Sequence, residues 1–276
     1  MSPPLFAVAD GMGGAKAGEI ASRLAAAAVR EEEADRVNVG ELIREANRRV
    51  FERARDDASA SGMGTTMTVA LVEDEHVTIG HVGDSRAYRL RAGELEQLTE
   101  DHSLVAELVR SGRLSPEEAE MHPQRSVITR ALGTEADVDV DTFNVDAQPG
   151  DVFLLCSDGL TTMVGDERII DVVGANRDDL ERAAKQLIGH ANRSGGEDNV
   201  TVVFFEIAEE AAETGETARL PAVVGDDEET LTEAEEVPVV ETVEEERRIR
   251  IAVLVPLVIV LAAAATVVLL YLMDFL

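Results

Sequence analysis

The most restrictive feature of this sequence is the stretch from Ile251 to Leu272, which contains no charged residue. At 1.5 Å per residue, a helix of this length spans roughly 30 Å, the thickness of the hydrocarbon core of a bilayer. A buried core helix is the alternative, but apolarity on every face favours a membrane span. The C-terminal position excludes a signal peptide. The sequence therefore predicts a transmembrane helix over residues 249–272, with residues 273–276 as a short tail beyond it.

The charges that flank this stretch predict its orientation. Arg247, Arg248 and Arg250 precede it, whereas Asp274 is the one charge that follows it. Basic residues are retained on the cytoplasmic side of a membrane. We therefore expect a single-pass, tail-anchored protein of the cell membrane that contacts the lipid bilayer and keeps its N-terminal part in the cytoplasm.

Residues 208–248, which precede the apolar stretch, have a different composition. Glu and Asp dominate, Pro221 and Pro238 interrupt the segment, and aromatic residues are absent. So little apolar surface cannot offset the entropy of ordering the chain, which predicts a disordered acidic linker. A short charged helix over Glu206–Glu213 is the alternative for its beginning.

The overall charge excludes one class of partner. The formal net charge of the 276 residues is -30 at pH 7, which argues against binding to nucleic acid because phosphates attract Lys and Arg. The acidity reflects either a solvated surface or carboxylates gathered around hard cations. Cys156 is the only cysteine, so the chain forms no intramolecular disulfide, and its apolar surroundings predict a buried, inert thiol.

Residues 1–207 have the mixed periodicities of one globular domain. Apolar residues at helical spacing predict helices over Ala17–Glu32 and Val39–Asp57. The middle of the domain alternates β-branched and polar residues between short turns, as in "TTMTVALV", "HVTIGHVG" and "SRAYRLRAG". Further helices follow near the C-terminal end. Helices on both sides of central strands predict an α+β fold with antiparallel sheets.

Four aspartates lie at the ends of apolar strands. Asp10, Asp84 and Asp158 each follow a strand, and Asp198 lies just before the last one. Hard cations such as Mg²⁺ and Mn²⁺ prefer oxygen ligands, so carboxylates that converge at one rim predict a metal site. Turn formation is the alternative for any single Asp-Gly pair. The sequence "DGMGG" is also compatible with a phosphate-binding loop, although its spacing matches neither a dinucleotide-binding nor a Walker loop.

The histidines do not add to this site in the sequence. They are scattered without the spacing of metal ligands, which favours solvated or core positions for all of them: His76, His81, His102, His122 and His190.

Seven motifs occur in order between residues 8 and 203: "VADGMGGAKAGEIAS", "GTTMTVAL", "HVGDSRAYRLR", "LTEDHSL", "ITRALG", "FLLCSDGLT" and "EDNVTVV". Together they resemble the bacterial branch of the PPM (type 2C) metal-dependent serine/threonine protein phosphatases. The resemblance implies a four-layer αββα sandwich of two antiparallel sheets flanked by helices. It also implies two Mn²⁺ or Mg²⁺ ions, with room for a third, and hydrolysis of phosphoserine and phosphothreonine proteins by metal-activated water.

The resemblance assigns roles to individual residues. It implies that Asp10 contacts both metals and that the carbonyl of Gly11 binds the second. Asp158 and Asp198 complete the first metal, and Asp84 corresponds to a ligand of the third. Residues 101–130 correspond to a mobile flap beside the site.

The sequence departs from the family pattern in two places. Other members carry a preceding strand with a phosphate-binding Arg and an Asn-Glu-Asp motif, whereas this sequence starts at "MSPPLFAVAD", so we expect a sandwich that lacks the first strand. Met12 stands where eukaryotic members have a proton-donating His, so no side chain is identified as the general acid.

These features leave two classes of function open. The first is a protein phosphatase that works with a membrane serine/threonine kinase and its substrates. The alternative is a non-catalytic phosphatase-like domain that binds a partner at the membrane. A phosphatase of small phosphoesters is a lesser alternative.

Overall fold

The structure is a computed structural model that describes residues 4–31, 37–73, 76–196, 198–208 and 222–224. In chain order, its strands are β1 (Leu5–Val8), β2 (Gly11–Met12), β3 (Gly64–Thr65), β4 (Met67–Glu73), β5 (His76–Val82), β6 (Arg86–Arg91), β7 (Glu94–Gln97), β8 (Asp141–Asp146), β9 (Val152–Cys156), β10 (Val202–Glu206) and β11 (Ala222–Val224). Its helices are α1 (Ala15–Glu31), α2 (Val39–Asp56), α3 (Leu104–Arg110), α4 (Pro116–Glu120), α5 (Asp158–Thr161), α6 (Asp166–Ala175) and α7 (Leu180–Ser194).

The two N-terminal helices lie within two residues of their predicted bounds. Helix α2 begins where Asn38 accepts a hydrogen bond from the backbone N–H of Glu41, which satisfies one of the free donors of the first turn. Its buried positions include Leu42, Ile43 and Ala46, the 3.6-residue pattern of an amphipathic helix.

The strands form two antiparallel sheets. The first sheet has the order β1-β4-β5-β8, and the second has the order β11-β10-β9-β6-β7. The short strands β2 and β3 form a separate pair. Every pairing in both sheets is antiparallel, as the sequence predicts.

Three apolar clusters separate four layers. One cluster lies between α1–α2 and the first sheet and includes Ile43 and Val69. The second lies between the sheets, where Ile79 meets Phe153. The third packs α5–α7 against the outer face of the second sheet. Alternating strand residues therefore face different clusters, and the αββα sandwich is confirmed.

Two strands correct the sequence analysis. Strand β8 was not predicted, although Phe143 and Val145 alternate with polar residues. It is an edge strand, and its flanking aspartates are poor strand formers.

Strand β11 pairs with β10 inside the segment predicted to be a disordered linker, so that prediction is wrong for Ala222–Val224. Backbone pairing with β10 supplies order that the composition of the segment does not indicate.

The predicted membrane helix and its short tail lie outside the described residues, as does the rest of the linker. None of the helices in the described part of the chain combines the length and apolar composition that a bilayer crossing requires.

Helix α2 packs on the first sheet through a contact with no room for a side chain. A Cβ added to Gly80 would lie 2.3 Å from a methyl carbon of Val39 and 2.7 Å from one of Ile43. The glycine in the middle of β5 therefore sets the distance between the helix and the sheet.

We predict that Gly80→Ala lowers the free energy of unfolding by about 1–3 kcal/mol, because an extra methyl group overpacks this contact. Gly174→Ala is the control. Gly174 lies inside α6 with no atom within 4 Å of an added Cβ, and alanine at such a helical position stabilises by roughly 0.5–1 kcal/mol. Denaturant titration of both variants measures the difference, and equal stability of the two would contradict the packing assignment.

Candidate metal centre

The strand register brings Asp10 and Asp84 to one end of the first sheet. Strands β1 and β5 both end beside the first residues of β4. Asp10 follows β1 and Asp84 follows β5. Because antiparallel neighbours alternate in direction, the ends of β1 and β5 on either side of β4 lie at the same edge.

The second sheet brings Asp158 and Asp198 to the same end of the sandwich. The end of β9 pairs with the first residues of β6 and of β10. Asp158 follows β9, and Asp198 precedes β10. Only residues 83–85 separate β5 from β6, so the ends of the two sheets meet at this turn.

Burial and mutual repulsion raise the pKa of the two central carboxylates. For Asp10 the largest cause is burial, followed by the negative charges of Asp158, Asp198 and Asp84. For Asp158 it is again burial; the hydrogen bond from Asp10 opposes this shift and the charge of Asp198 adds to it. Both shifts disfavour the ionised form, as expected where carboxylates share a poorly hydrated site.

Asp84 is buried deeply, with 8% of its surface exposed. Burial raises its pKa to about 7, and the charges of Asp158 and Asp101 add to the shift. Asp198 is exposed at the rim, where it accepts a hydrogen bond from the N–H of Asn199.

When both are ionised, the carboxylates of Asp10 and Asp158 have no donor between them. Their charges act on each other, and among the described residues the buried Oδ1 of Asp158 has no hydrogen-bond partner. Two ionised carboxylates contain only acceptors. The pair therefore requires either a shared proton or a cation between its oxygens.

The donor set fits a hard divalent cation that keeps part of its water shell. In the described parts of the chain, no three His, Cys, Asp or Glu side chains are arranged closely enough to hold a metal ion by themselves. Mg²⁺ is commonly held by one or two carboxylates with several waters. Carboxylates without histidine or thiolate ligands favour Mg²⁺ or Mn²⁺ over zinc.

Gly11 lies directly after Asp10, in an exposed position. A Cβ on Gly11 would lie 1.9 Å from the carbonyl oxygen of Gly18, and a Cβ on Gly18 would lie 2.5 Å from that of Gly11. The first turns of α1 thus press directly on this loop, which accounts for glycine at both positions.

A cleft of about 1170 Å³ opens beside the carboxylates. Its lining includes Asp84 and Asp158 together with residues of the 101–130 segment, among them the exposed Met121. The cleft leads from solvent to two of the candidate ligands.

Arg86 and Asp101 are site residues that the sequence analysis did not single out. Arg86 donates to both oxygens of Asp101 at 2.7–3.2 Å, and both side chains line the cleft. The charge of Arg86 also acts on Asp84 and Asp158. The usable signal was the position of Arg86 two residues after Asp84, at the start of a strand.

The histidines and the cysteine differ in how deeply they are buried. His81 and His102 are buried, whereas His76 is exposed and His122 and His190 are partly exposed. Cys156 is fully buried, and burial raises the pKa of its thiol to about 12. The thiol is therefore un-ionised and inert, as predicted.

The chain matches one protein family model. Residues 2–199 match the model described as protein phosphatase 2C. The chain is also 43% identical over 213 residues to a protein named serine/threonine phosphatase stp from Listeria welshimeri. That alignment covers 74% of this chain and 84% of the Listeria protein.

Solved structures show the same similarity. The crystal structure of the Mycobacterium tuberculosis serine/threonine phosphatase PstP/Ppp superposes with a TM-score of 0.69 at 41% identity, covering 74% of this chain and 88% of the other. The catalytic domain of PstP in complex with two manganese ions gives a TM-score of 0.66 at 39% identity with the same coverage.

The raised pKa of Asp84 predicts a pH dependence of stability. Its ordinary pKa is 3.8 and its folded-state pKa is about 7, so the folded state binds the proton more tightly than the unfolded state. The stability that the folded protein gains from the protonated Asp84 is fully present below about pH 4 and is lost as the pH rises to about 7. In EDTA, Asp84→Asn should therefore lose less stability than the wild type over this interval, as measured by thermal unfolding.

In EDTA at pH 8, we therefore expect Asp84→Asn to be more stable than the wild type. Added Mn²⁺ at the same pH should make the wild type the more stable protein, because the ion stabilises the folded wild type by mass action. Asp171→Asn, on the exposed face of α6, is the matched control and should follow the wild type. An Asp84→Asn variant that is less stable than the wild type in EDTA at pH 8 would show that Asp84 is not under electrostatic strain.

Proposed function

The chain belongs to the protein phosphatase 2C family, and from that membership we propose that it dephosphorylates phosphoserine and phosphothreonine proteins at the cytoplasmic face of a membrane. It is a serine/threonine protein phosphatase, and its cofactors are two Mn²⁺ or Mg²⁺ ions, as in the PstP complex with manganese. The attachment to a membrane and the individual metal ligands are proposals argued below.

The observation that supports the assignment of the site is the pair of Asp10 and Asp158, which has no donor when both carboxylates are ionised. A turn residue or a structural carboxylate would satisfy its oxygens with backbone or side-chain donors. The Oδ1 atom of Asp158 is instead buried without a partner. A divalent cation would satisfy these oxygens and would remove the repulsion that adds to the effect of burial on both pKa values.

The ligand roles that we propose are those that the resemblance to the family implies. The charges of Asp158, Asp198 and Asp84 all act on Asp10, and Asp10 would contribute to both ions. Asp158 and Asp198 would complete the first ion, and the carbonyl of Gly11 would contribute to the second. Asp84, on the cleft side, would hold a third ion. When bound, such ions supply an activated water and neutralise the charge of the phosphoryl oxygens.

The residues of the chain then orient the substrate and limit solvent access. The cleft admits a phosphorylated side chain toward Asp84 and Asp158. Arg86 keeps Asp101, the first residue of the 101–130 segment, against the site through a two-pronged ion pair. Through this ion pair, Arg86 fixes the position of Asp101 in the lining of the cleft. No side chain among the described residues is assigned as general acid.

A non-catalytic partner-binding domain is not favoured. All four aspartates retain their strand-end positions, and the two central ones stay buried at an electrostatic penalty. A domain that only bound a partner would gain nothing from this arrangement.

We further propose that the substrates include a membrane serine/threonine kinase and its targets. The apolar stretch from Ile251 to Leu272 supports this location because it would confine the phosphatase to the same surface as such a kinase. Confinement raises the effective concentration of each protein at the other.

We predict that Asp158→Asn lowers Mn²⁺-dependent hydrolysis of a phosphopeptide by at least about a hundredfold, because an amide cannot supply the negative charge that the cation requires. Asp198→Asn should have the same direction of effect. Calorimetry with Mn²⁺ alone should show weakened binding in both variants, which separates metal loss from other causes.

Asp171→Asn is the matched control, since it removes one exposed carboxylate from α6. It should retain both hydrolysis and Mn²⁺ binding. Normal turnover by Asp158→Asn would remove that residue from the metal site.

The membrane proposal predicts that deletion of residues 247–276 releases the phosphatase into the soluble fraction with unchanged activity per molecule. A variant that lacks residues 225–246 but keeps the apolar stretch is the control and should sediment with membranes. Sedimentation of the first variant with membranes would refute the anchor.

A further inference from the structure

Gly83, directly before Asp84, has a backbone conformation that connects the two sheets. Its φ of +115° lies in the region that favours glycine. A Cβ at this position would lie 2.6 Å from the Cβ of Thr66. The turn that carries Asp84 is therefore pressed against Thr66.

Thr66 also holds Asp10. The N–H of Asp10 donates to Oγ1 of Thr66 at 3.0 Å, and the N–H of Thr66 donates to the carbonyl of Asp10 at 2.8 Å. The Thr66 hydroxyl also bonds to that of Ser85 at 2.8 Å. Any shift of Gly83 would therefore change the spacing between Asp84 and Asp10.

His102 holds Gly83 through two hydrogen bonds. The backbone N–H of His102 donates to the carbonyl of Gly83 at 2.7 Å, and the N–H of Gly83 donates to Nδ1 of His102 at 3.0 Å. His102 is buried, with 3% of its surface exposed. Because Nδ1 accepts, this hydrogen-bond network assigns the proton of the neutral ring to Nε2.

The other side of the ring faces Asp141. Nε2 of His102 lies 3.1 Å from Oδ2 of Asp141 and 3.0 Å from Nη1 of Arg130, which donates to Oδ1 of the same carboxylate at 2.7 Å. Burial lowers the pKa of His102; the hydrogen bond to Asp141 opposes this shift and the charge of Arg130 adds to it. The neutral ring is thus oriented by Asp141.

His102 also lies where the two ends of the 101–130 segment meet. Ser103 and Ile128 form an antiparallel bridge, and the N–H of Thr129 donates to the carbonyl of His102 at 2.8 Å. One residue therefore contacts the base of the cleft wall and the turn that carries Asp84.

We propose that His102 is a positioning residue of this phosphatase: it holds Gly83 so that Asp84 is kept in place to bind the third ion. The inference rests on the proposed role of Asp84 as a metal ligand. A buried histidine that only filled space would have no effect on metal affinity beyond its effect on stability. A positioning residue changes the metal affinity of a protein that remains folded.

Two substitutions of His102 test its contact with Gly83 and its contact with Asp141 separately. In His102→Asn, the amide oxygen can accept the Gly83 N–H, but the contact with Asp141 is lost. In His102→Gln, the longer amide reaches toward Asp141 and leaves the Gly83 N–H without its acceptor. The test uses the full 276-residue chain, with Mn²⁺ titrated in calorimetry and in phosphopeptide hydrolysis.

We expect His102→Gln to raise the half-saturating Mn²⁺ concentration about tenfold, since loss of such a supporting contact typically weakens metal binding by ten- to a hundredfold. Saturating Mn²⁺ should restore the rate. His102→Asn should stay within about threefold of the wild type. Equal Mn²⁺ dependence in the wild type and His102→Gln, or equal losses in both variants, would overturn the proposal.

Asp141→Ala provides a second test that leaves His102 in place. The Asp141 side chain is 42% exposed, so the variant should fold, and freeing the ring should raise the half-saturating Mn²⁺ concentration about threefold. An unchanged Mn²⁺ dependence in this variant would count against the proposal. Leu187→Ala, on the buried face of α7, controls for stability and should lower the melting temperature without changing Mn²⁺ affinity.

The behaviour of the wild type separates a failure of the proposed function from a failure of the proposed role of His102. If it neither binds Mn²⁺ nor hydrolyses the phosphopeptide, the proposed function fails and this inference fails with it. If it does both and His102→Gln behaves identically, only the role of His102 is refuted.

Discussion

The structure depends on bringing several carboxylates together in a partly dehydrated place. Asp10, Asp84 and Asp158 each have a raised pKa for which burial is the largest cause. In the absence of a cation, such a cluster opposes folding. The rest of the fold must therefore hold the carboxylates in place, and a divalent ion converts their repulsion into attraction.

The sandwich supplies this rigidity through strand ends and close backbone contacts. The turn at residues 83–85 joins the sheets at the end where the carboxylates lie, and the apolar cluster between the sheets keeps the two ends in register. Gly11 against Gly18 and Gly83 against Thr66 leave no space for adjustment. Binding residues on the loops of a rigid scaffold are a general solution to this problem.

The segment 101–130 is connected to the site by polar side chains. The Arg86–Asp101 ion pair and the contacts of His102 with Gly83 and Asp141 lie at its base. The spacing of His102 matches no metal site, so the sequence predicts a core or solvated position for it. That reasoning was sound for direct ligation, but a residue that acts through a backbone N–H leaves no such pattern.

The sequence by itself determined the features that depend on local composition. Alternating and helical periodicities predicted an α+β fold with antiparallel sheets, and the strand-end aspartates predicted the acidic site. The ordered motifs predicted the sandwich and the family that the comparisons confirmed. What only the tertiary structure decided is contact between distant parts of the chain: the donorless pair of Asp10 and Asp158, the ion pair of Arg86, and the pairing of β11 with β10. Periodicity reports which face of an element is apolar. It does not report which distant backbone or charge will meet that face, because long-range contacts are selected by the packing of the whole domain.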